Sequence, residues 1–259
     1  MLTSTKSKTL ATPAALWQIL RKEAETIAAA EPVLTSYIHS TVLYHTTLEQ
    51  MVSFILANFL DSQATPALLL REIFLDVMNC EPQIVDQICR DIAAWYERDP
   101  ACDHHLMPAL YFKGFHALQT WRVSHWLWLH GRQTLAMHLQ NRASEVFAVD
   151  IHPAATIGSG IMLDHATGIV IGATAIIEDD VSLLHGVTLG GSGLHTADRH
   201  PKVRHGAMLA AGAKVLGSID IGKSAKIGAG SVVLIDVPAN NTAAGVPARL
   251  TPAKNSSDN

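Results

Sequence analysis

The 259-residue chain is short of several things on which whole classes of protein depend. Cysteine is scarce: Cys80, Cys89 and Cys102 are odd in number and form no C-x-x-C pair. A disulfide framework or zinc knuckle is therefore not expected, and reduced thiols in or near a helical core are. Charged residues make up 16% of the chain, the net charge is -4, and the 19 Lys and Arg residues are scattered. The basic stripe of a nucleic-acid binder is missing, so no nucleic-acid partner is expected. Long apolar runs are missing too, none approaching the ~18 residues that span a bilayer. Lys6 and Lys8 precede an apolar stretch from Ala11 to Leu20, but Pro13, Gln18, Arg21 and Lys22 interrupt it, unlike a signal peptide. The reading is a cytoplasmic protein with no membrane contact.

Glycine is nearly absent from the first half and tryptophan from the second. Only Gly114 and Gly131 of 17 glycines precede Asp150, while Trp17, Trp95, Trp121, Trp126 and Trp128 all do. Apolar residues at spacings of three and four predict helices over residues 14 to 30, 46 to 60, 66 to 78, 82 to 97 and roughly 107 to 140. Thr46 and Glu49 fit a capping box ahead of Met51, and Pro66 and Pro82 sit where first-turn prolines are tolerated. His116, His125, His130 and His138, with Trp121, Trp126 and Trp128, are read as packing, since no H-x-x-x-H pair with an adjacent Glu occurs.

Beyond Asp150 the period changes to six. Ile151, Ile157 and Leu163, then Ile171, Ile177, Leu183 and Leu189, then Leu209, Val215, Ile221, Ile227 and Val233 keep it. A small or short residue follows each four places on, Ala155, Ile161, Thr167, Ala175 and Val181 among them. Neither a helix nor a plain strand has this period; a hexapeptide β-helix does, with three hexads to a triangular coil. The expectation is a two-domain α+β protein. An all-α domain over residues 1 to 147 precedes a left-handed parallel β-helix over 148 to 251, and a flexible tail occupies 252 to 259. Within the repeat, residues 217 to 224 match G-x-x-x-x-G-K-[ST] letter for letter. Val215, Ile221 and Ile227 hold the hexad register through it, so no helix starts at Lys223 and the phosphate-loop reading fails.

The repeat breaks twice, and a rigid coil is most naturally functional where it is interrupted. Two extra residues fall between Leu163 and Ile171, just after His165. A longer insertion between Leu189 and Leu209 holds Gly190, Gly191, Ser192, Gly193, Arg199 and His200. A histidine near carboxylates, here Asp150 and Asp164, suits general-base work near neutral pH. The glycines let a ligand approach the backbone.

The runs Asp150-Ile-His-Pro-Ala, Leu163-Asp-His-Ala-Thr-Gly168, Val187-Thr-Leu-Gly-Gly191, Asp198-Arg-His-Pro-Lys202 and Ala244-Gly-Val-Pro-Ala-Arg249 together resemble the bacterial serine O-acetyltransferases of cysteine biosynthesis. The resemblance covers nearly the whole chain. It implies transfer of acetyl from acetyl-CoA, a co-substrate, to the hydroxyl of L-serine, with no metal. It implies His165 as general base, Asp150 orienting it across a subunit boundary, and His200 assisting. Arg199 would take the serine carboxylate, Asp164 and Asp99 the ammonium, and Gly190, Gly191, Ala211 and Lys226 would line the CoA arm. It also implies inhibition by L-cysteine and a homotrimer or a hexamer of paired trimers.

Two departures stand out. Many family members carry Glu where this chain has Ala173. The family's tail often ends in an isoleucine that enters the active site of O-acetylserine sulfhydrylase, whereas this chain ends in the polar Asn259, which weakens the expectation of that partner. Other readings of the residues are a sugar O-acetyltransferase sharing His165, a γ-type carbonic anhydrase using His165, His185 and His200 as zinc ligands, and a non-catalytic scaffold.

Overall fold

A computed structural model describes residues 12–192 and 197–251, so the tail 252–259, Lys6, Lys8 and Gly193 lie outside the described residues. The chain divides into two compact units, Met1–Phe112 and Lys113–Asn259.

The first unit is helical: α1 (Pro13–Ala30), a 3-10 turn (Pro32–Leu34), α2 (Thr35–Ile38), a π turn (His39–Leu43), α3 (Leu48–Leu60), α4 (Ala67–Cys80), α5 (Gln83–Arg98) and α6 (Leu106–Tyr111). Leu16, Trp17, Leu20 and Ala24 make the buried stripe of α1 at the expected spacing. The cap expected from Thr46 and Glu49 is displaced by one residue. Thr47 Oγ1 accepts the Gln50 amide, and Gln50 Oε1 accepts the Thr46 amide. Burial pushes the Glu23 carboxyl up, but hydrogen bonds from the His105 side chain and the Leu106 and His105 amides outweigh it and hold the group below its usual range. Those bonds tie the start of α6 to α1. Cys80, Cys89 and Cys102 form no disulfide; Cys89 and Cys102 are buried and Cys80 is exposed.

The second unit opens with α7 (Lys113–Leu129) and α8 (Gln133–Phe147). The single helix expected over 107 to 140 is thus α6, α7 and α8, broken at Phe112 and again around Gly131, whose φ is 76°. Helix gives way to coil at Ala148, where the change of composition pointed, but the compact units divide earlier because α7 and α8 pack on each other and on the first coil. From Gly114 to Ser124 every residue of α7 is buried, the mark of a helix enclosed on all sides.

The coil follows as β1 (Val149–Ile151), β2 (Thr156–Ile157), β3 (Met162–Asp164), β4 (Ile169–Ile171), β5 (Ile176–Ile177), β6 (Ser182–Leu184), β7 (Thr188–Gly190), β8 (Lys202–Val203), β9 (Met208–Leu209), β10 (Lys214–Leu216), β11 (Asp220–Ile221), β12 (Lys226–Ile227), β13 (Val232–Val233), β14 (Thr242–Gly245) and β15 (Ala248–Thr251). They stack as three sheets, β1-β4-β7-β10-β13, β11-β8-β5-β2 and β15-β14-β12-β9-β6-β3. This is a parallel β-solenoid of about five turns, closed by the antiparallel β14–β15 pair.

Every period-six aliphatic from Ile151 to Val233 is buried. Each contributes about 1.5–3 kcal/mol of transfer free energy to a core shared between neighbouring coils. Two of the four-place partners among the described residues depart from expectation, and of these Ile219 is half-buried. Thr167 is exposed, because the extra residues begin just before it, and Ile169 takes the inward position instead. Residues 217 to 224 contain β11 and no helix, and Lys223 is exposed. Among the described residues, no helix is long and apolar enough to cross a membrane.

Candidate active site

The ladder register locates both interruptions. Val170 pairs with Thr188 and Lys214 with Val232, eighteen positions apart, or three hexads. Val149 pairs with Ile169, two residues further on, and Thr188 with Lys214, eight further on. The extra residues loop out and leave the core in register.

The first interruption joins β3 to β4. His165 and Ala166 both have left-handed backbone, φ 54° and 53°, a conformation that costs a non-glycine residue about 1–2 kcal/mol. Such strain persists only where the surroundings enforce it. Here α7 does so: Lys113 Nζ donates to Thr167 Oγ1, and Gly114 lies so close that a Cβ there would sit 1.9 Å from the Leu163 carbonyl oxygen. The His165 side chain is 78% exposed, with Nε2 3.8 Å from Asp164 Oδ1. The His185 ring meets it edge-on at 6.1 Å between centroids.

The second interruption joins β7 to β8 and ends in a closed polar clamp. The Thr174 amide donates to His200 Nδ1 at 3.2 Å, and Thr174 Oγ1 lies 2.8 Å from the same nitrogen while accepting the Arg199 and His200 amides. A backbone amide only donates, so Nδ1 is an acceptor and the neutral ring carries its proton on Nε2. His200 is buried over Gly172, where a Cβ would sit 2.0 Å from ring atoms. Burial lowers the pKa of His200, Arg199, Lys202 and His152 push the same way, and Asp198 opposes them. Lys202 Nζ pairs with Asp198 and donates to the Thr174 and His200 carbonyls. The stem of Arg199 lies over Gly191, and Leu216 over Gly190. The chain's own side chains thus use the space that the two glycines leave.

Asp150 lies on β1 and His152 follows just past its end, two residues on, where the extended chain faces the same way. Gln140 of α8 donates its amide to Asp150 Oδ1. His152 Nδ1 accepts the Ala154 amide at 3.0 Å, and the ring meets Trp128 edge-on. Burial lowers the pKa of His152, Asp150 raises it and Arg199 lowers it further. These interactions put Asp150, His152, Arg199 and His200 in one electrostatic neighbourhood. Helix α7 fixes the adjoining corner. Trp121 Nε1 donates to the His152 carbonyl, His125 Nδ1 lies 2.7 Å from the Pro153 carbonyl, and Arg122 donates to the Gly158 carbonyl. Trp121 and His125 stack on each other, as packing residues do, and also hold the β1–β2 corner through these bonds.

The structure therefore puts Asp150, Arg199 and His200 each within electrostatic reach of His152, at the turn that follows β1, and keeps Asp164 and His165 together at the corner between the third and first sheets. Ala211 lies one coil beyond His185 on that corner, where the Gly212 amide donates to the His185 carbonyl and the Gly230 amide to the Ala211 carbonyl. Lys226 is exposed on β12. Asp99, in the first unit, accepts the Ala101 amide across its own turn. His165 and His185 stand on a different corner from His200, and among the described residues no group of three or more His, Cys, Asp or Glu is arranged to hold a metal. Sequence reasoning missed His152, for which the Asp-x-His spacing was the available signal. It also missed Gly172, whose need is set by a ring twenty-eight residues later.

Comparison with known proteins agrees with this geometry. Residues 16–120 match the family model "Serine acetyltransferase, N-terminal". The chain is 54% identical over 235 residues to the serine acetyltransferase of Escherichia coli strain K12, covering 91% of this chain and 86% of that one. Solved serine acetyltransferases in complex with CoA and with cysteine each share 54% identity, cover 93% of this chain and all of theirs, and superpose with TM-scores of 0.90 and 0.91. With this identity extending through both units, the chain belongs to the serine acetyltransferase family.

Proposed function

We propose that this protein transfers the acetyl group of acetyl-CoA to the hydroxyl of L-serine, giving O-acetyl-L-serine and CoA at the entry to cysteine synthesis, and that L-cysteine inhibits it. The observation that carries the mechanism is His165: an exposed imidazole with a carboxylate neighbour, displayed on a strained insertion, in a chain more than half identical to serine acetyltransferases. A serine hydroxyl is a poor nucleophile until a base takes its proton. His165 takes that proton as the hydroxyl oxygen attacks the thioester carbonyl. The tetrahedral intermediate collapses by breaking the carbon–sulfur bond, and the proton returns from His165 to the departing thiolate. No covalent enzyme intermediate is needed.

Arg199 pairs its planar fork with the serine carboxylate, and Asp164 receives the ammonium. Neutral His200, locked by Thr174, supports Arg199 and offers Nε2–H to the bound amino acid. Asp150 orients the base. Within one chain Asp150 bonds Gln140 while His165 neighbours Asp164 on another corner. This supports a site completed at the boundary between two copies of the coil in a trimer, the Asp150 of one copy facing the His165 of the next. The CoA arm runs along the corner of His185 and Ala211 towards the exposed ammonium of Lys226, with Gly190 and Gly191 flanking it.

The test is CoA release from acetyl-CoA with serine, homoserine and simple sugars as acceptors. Turnover is expected with serine far above the rest, and turnover with a sugar but not with serine would overturn the assignment. Inhibition by L-cysteine is read from O-acetylserine formed, by mass, so that the inhibitor's thiol does not enter the measurement.

A further inference from the structure

We infer that Gln140 is a positioning residue for the reaction, acting through Asp150. This rests on the reading above in which Asp150 orients the catalytic base of a neighbouring copy. Gln140 stands on α8 ten residues before its partner, and its Nε2 donates to Asp150 Oδ1. The carboxylate has two oxygens; a donor fixed on one sets the direction in which the other faces. An aspartate that must meet an imidazole from a separate chain gains most from such a constraint.

The surroundings leave little room for competing water. Gln140 lines a narrow cavity of about 10 Å³ with Ala117, Thr120, Trp121, Ser124 and Val149, a volume that admits about one water. An amide in such a place is not merely filling space, since an aliphatic side chain would fill it without having to meet a hydrogen-bond requirement. The bond also has a geometric cause. Helix α8 ends in the left-handed residue Ala148, φ 55°, and β1 starts at once, so the chain reverses sharply enough to bring Asp150 back beside Gln140.

The test compares Gln140→Met, Gln140→Glu, Asp150→Asn and the double variant Gln140→Met/Asp150→Asn in the full chain. Gln140→Met is expected to lower kcat about tenfold, the scale on which orienting partners act, with KM for both substrates within about twofold of wild type. In the Asp150→Asn background it should cost nothing more. Gln140→Glu sets two carboxylates against each other, and when protonated the new side chain again donates to Asp150. Its kcat relative to wild type should therefore recover as the pH falls, whereas the ratio for Gln140→Met stays flat. Wild-type kcat in Gln140→Met beside a disabled Asp150→Asn overturns this inference alone. Full activity in Asp150→Asn overturns the orienting role of Asp150 and this inference with it. Should Gln140→Met fail to fold by circular dichroism, the Gln140→Glu profile decides, and a pH-independent ratio there overturns the proposal.

Discussion

The two interruptions of the repeat solve opposite problems. The short one, at His165, displays a ring to solvent on left-handed backbone, with a carboxylate close by but no bond that locks the ring. The long one, ending at His200, buries a ring over a glycine, fixes its tautomer through Thr174 and closes around it with Lys202 and Asp198. A group that must take and return a proton has to keep its second nitrogen open and its charge changeable. A group that only has to recognise a small zwitterion works best rigid and uncharged. In the mechanism proposed above the same side chain serves both ends because one insertion adds two residues, too few to cover anything, and the other adds eight, enough to fold back on the coil.

Replacing each ring is the strongest way to break this contrast. His165→Ala should lower kcat by ~10²–10⁴, the usual reach of a general base, and leave the melting temperature essentially unchanged because the ring buries little. His200→Ala should leave a cavity costing about 2 kcal/mol, roughly 4–8 °C in Tm, and raise KM for serine more than for acetyl-CoA. Arg199→Ala should share the second kinetic signature. If His165→Ala melts lower than His200→Ala, or if Arg199→Ala weakens both substrates equally, the division between an exposed base and a rigid recognition clamp is wrong.

Glycines sharpen the comparison at smaller amplitude. Gly114→Ala drives a Cβ into the Leu163 carbonyl under the first interruption, and Gly172→Ala drives one into the His200 ring under the second. Each should cost about 1–3 kcal/mol by overpacking, but the kinetic outcomes should differ: Gly114→Ala lowers kcat by moving His165, and Gly172→Ala raises KM for serine by expelling His200. Gly131→Ala, in the turn between α7 and α8, is the control. Its φ is +76° with nothing within 4 Å of the added methyl, so it should cost about 1 kcal/mol in strain and leave both kinetic constants alone. Chemical denaturation with steady-state kinetics on the three variants checks this.

How much of this was legible in the sequence follows from which interactions are periodic. The coil was readable because one inward aliphatic every six residues is a local rule, and the breaks stood out as failures of it; Thr167 was misplaced only because an insertion moves the register silently. The long helices were legible as helices, but not the short helical turns over residues 32–43, nor the breaks at Phe112 and Gly131, since the same spacing of apolar residues runs across both. The runs of residues around Asp150, His165 and His200 pointed to the site. What remained hidden was the support: Gln140 on Asp150, Thr174 under His200, Trp121 and His125 on the carbonyls of residues 152 and 153. Those bonds join residues ten to thirty-one positions apart with no spacing rule. The assignment of α7 and α8 to the coil's unit was hidden for the same reason, because composition changes at Asp150 while packing changes at Lys113.

The smallest expected effect is in stability against pH. Burial lowers the pKa of His125, His152 and His200 below the ordinary histidine value of 6.5. Below that value the unfolded chain therefore binds more protons than the folded one, and stability rises with pH. The contribution is present in full above pH 6.5 and is lost as the pH falls from there through the depressed folded values. Glu178 and Asp198 also titrate below their ordinary values of 4.5 and 3.8, the first chiefly through the His205 amide and Arg204, the second through Lys202. They follow the same sign, but their loss begins only in a more acid range. Between pH 7.5 and 5.5 the histidines thus act almost alone, and the urea midpoint of unfolding should hold steady down to about 6.5 and then decline. Replacing His200 by Gln, which does not titrate, should flatten part of that decline. An unchanged decline in that variant would mean that the ring buried at the second interruption carries none of the pH dependence.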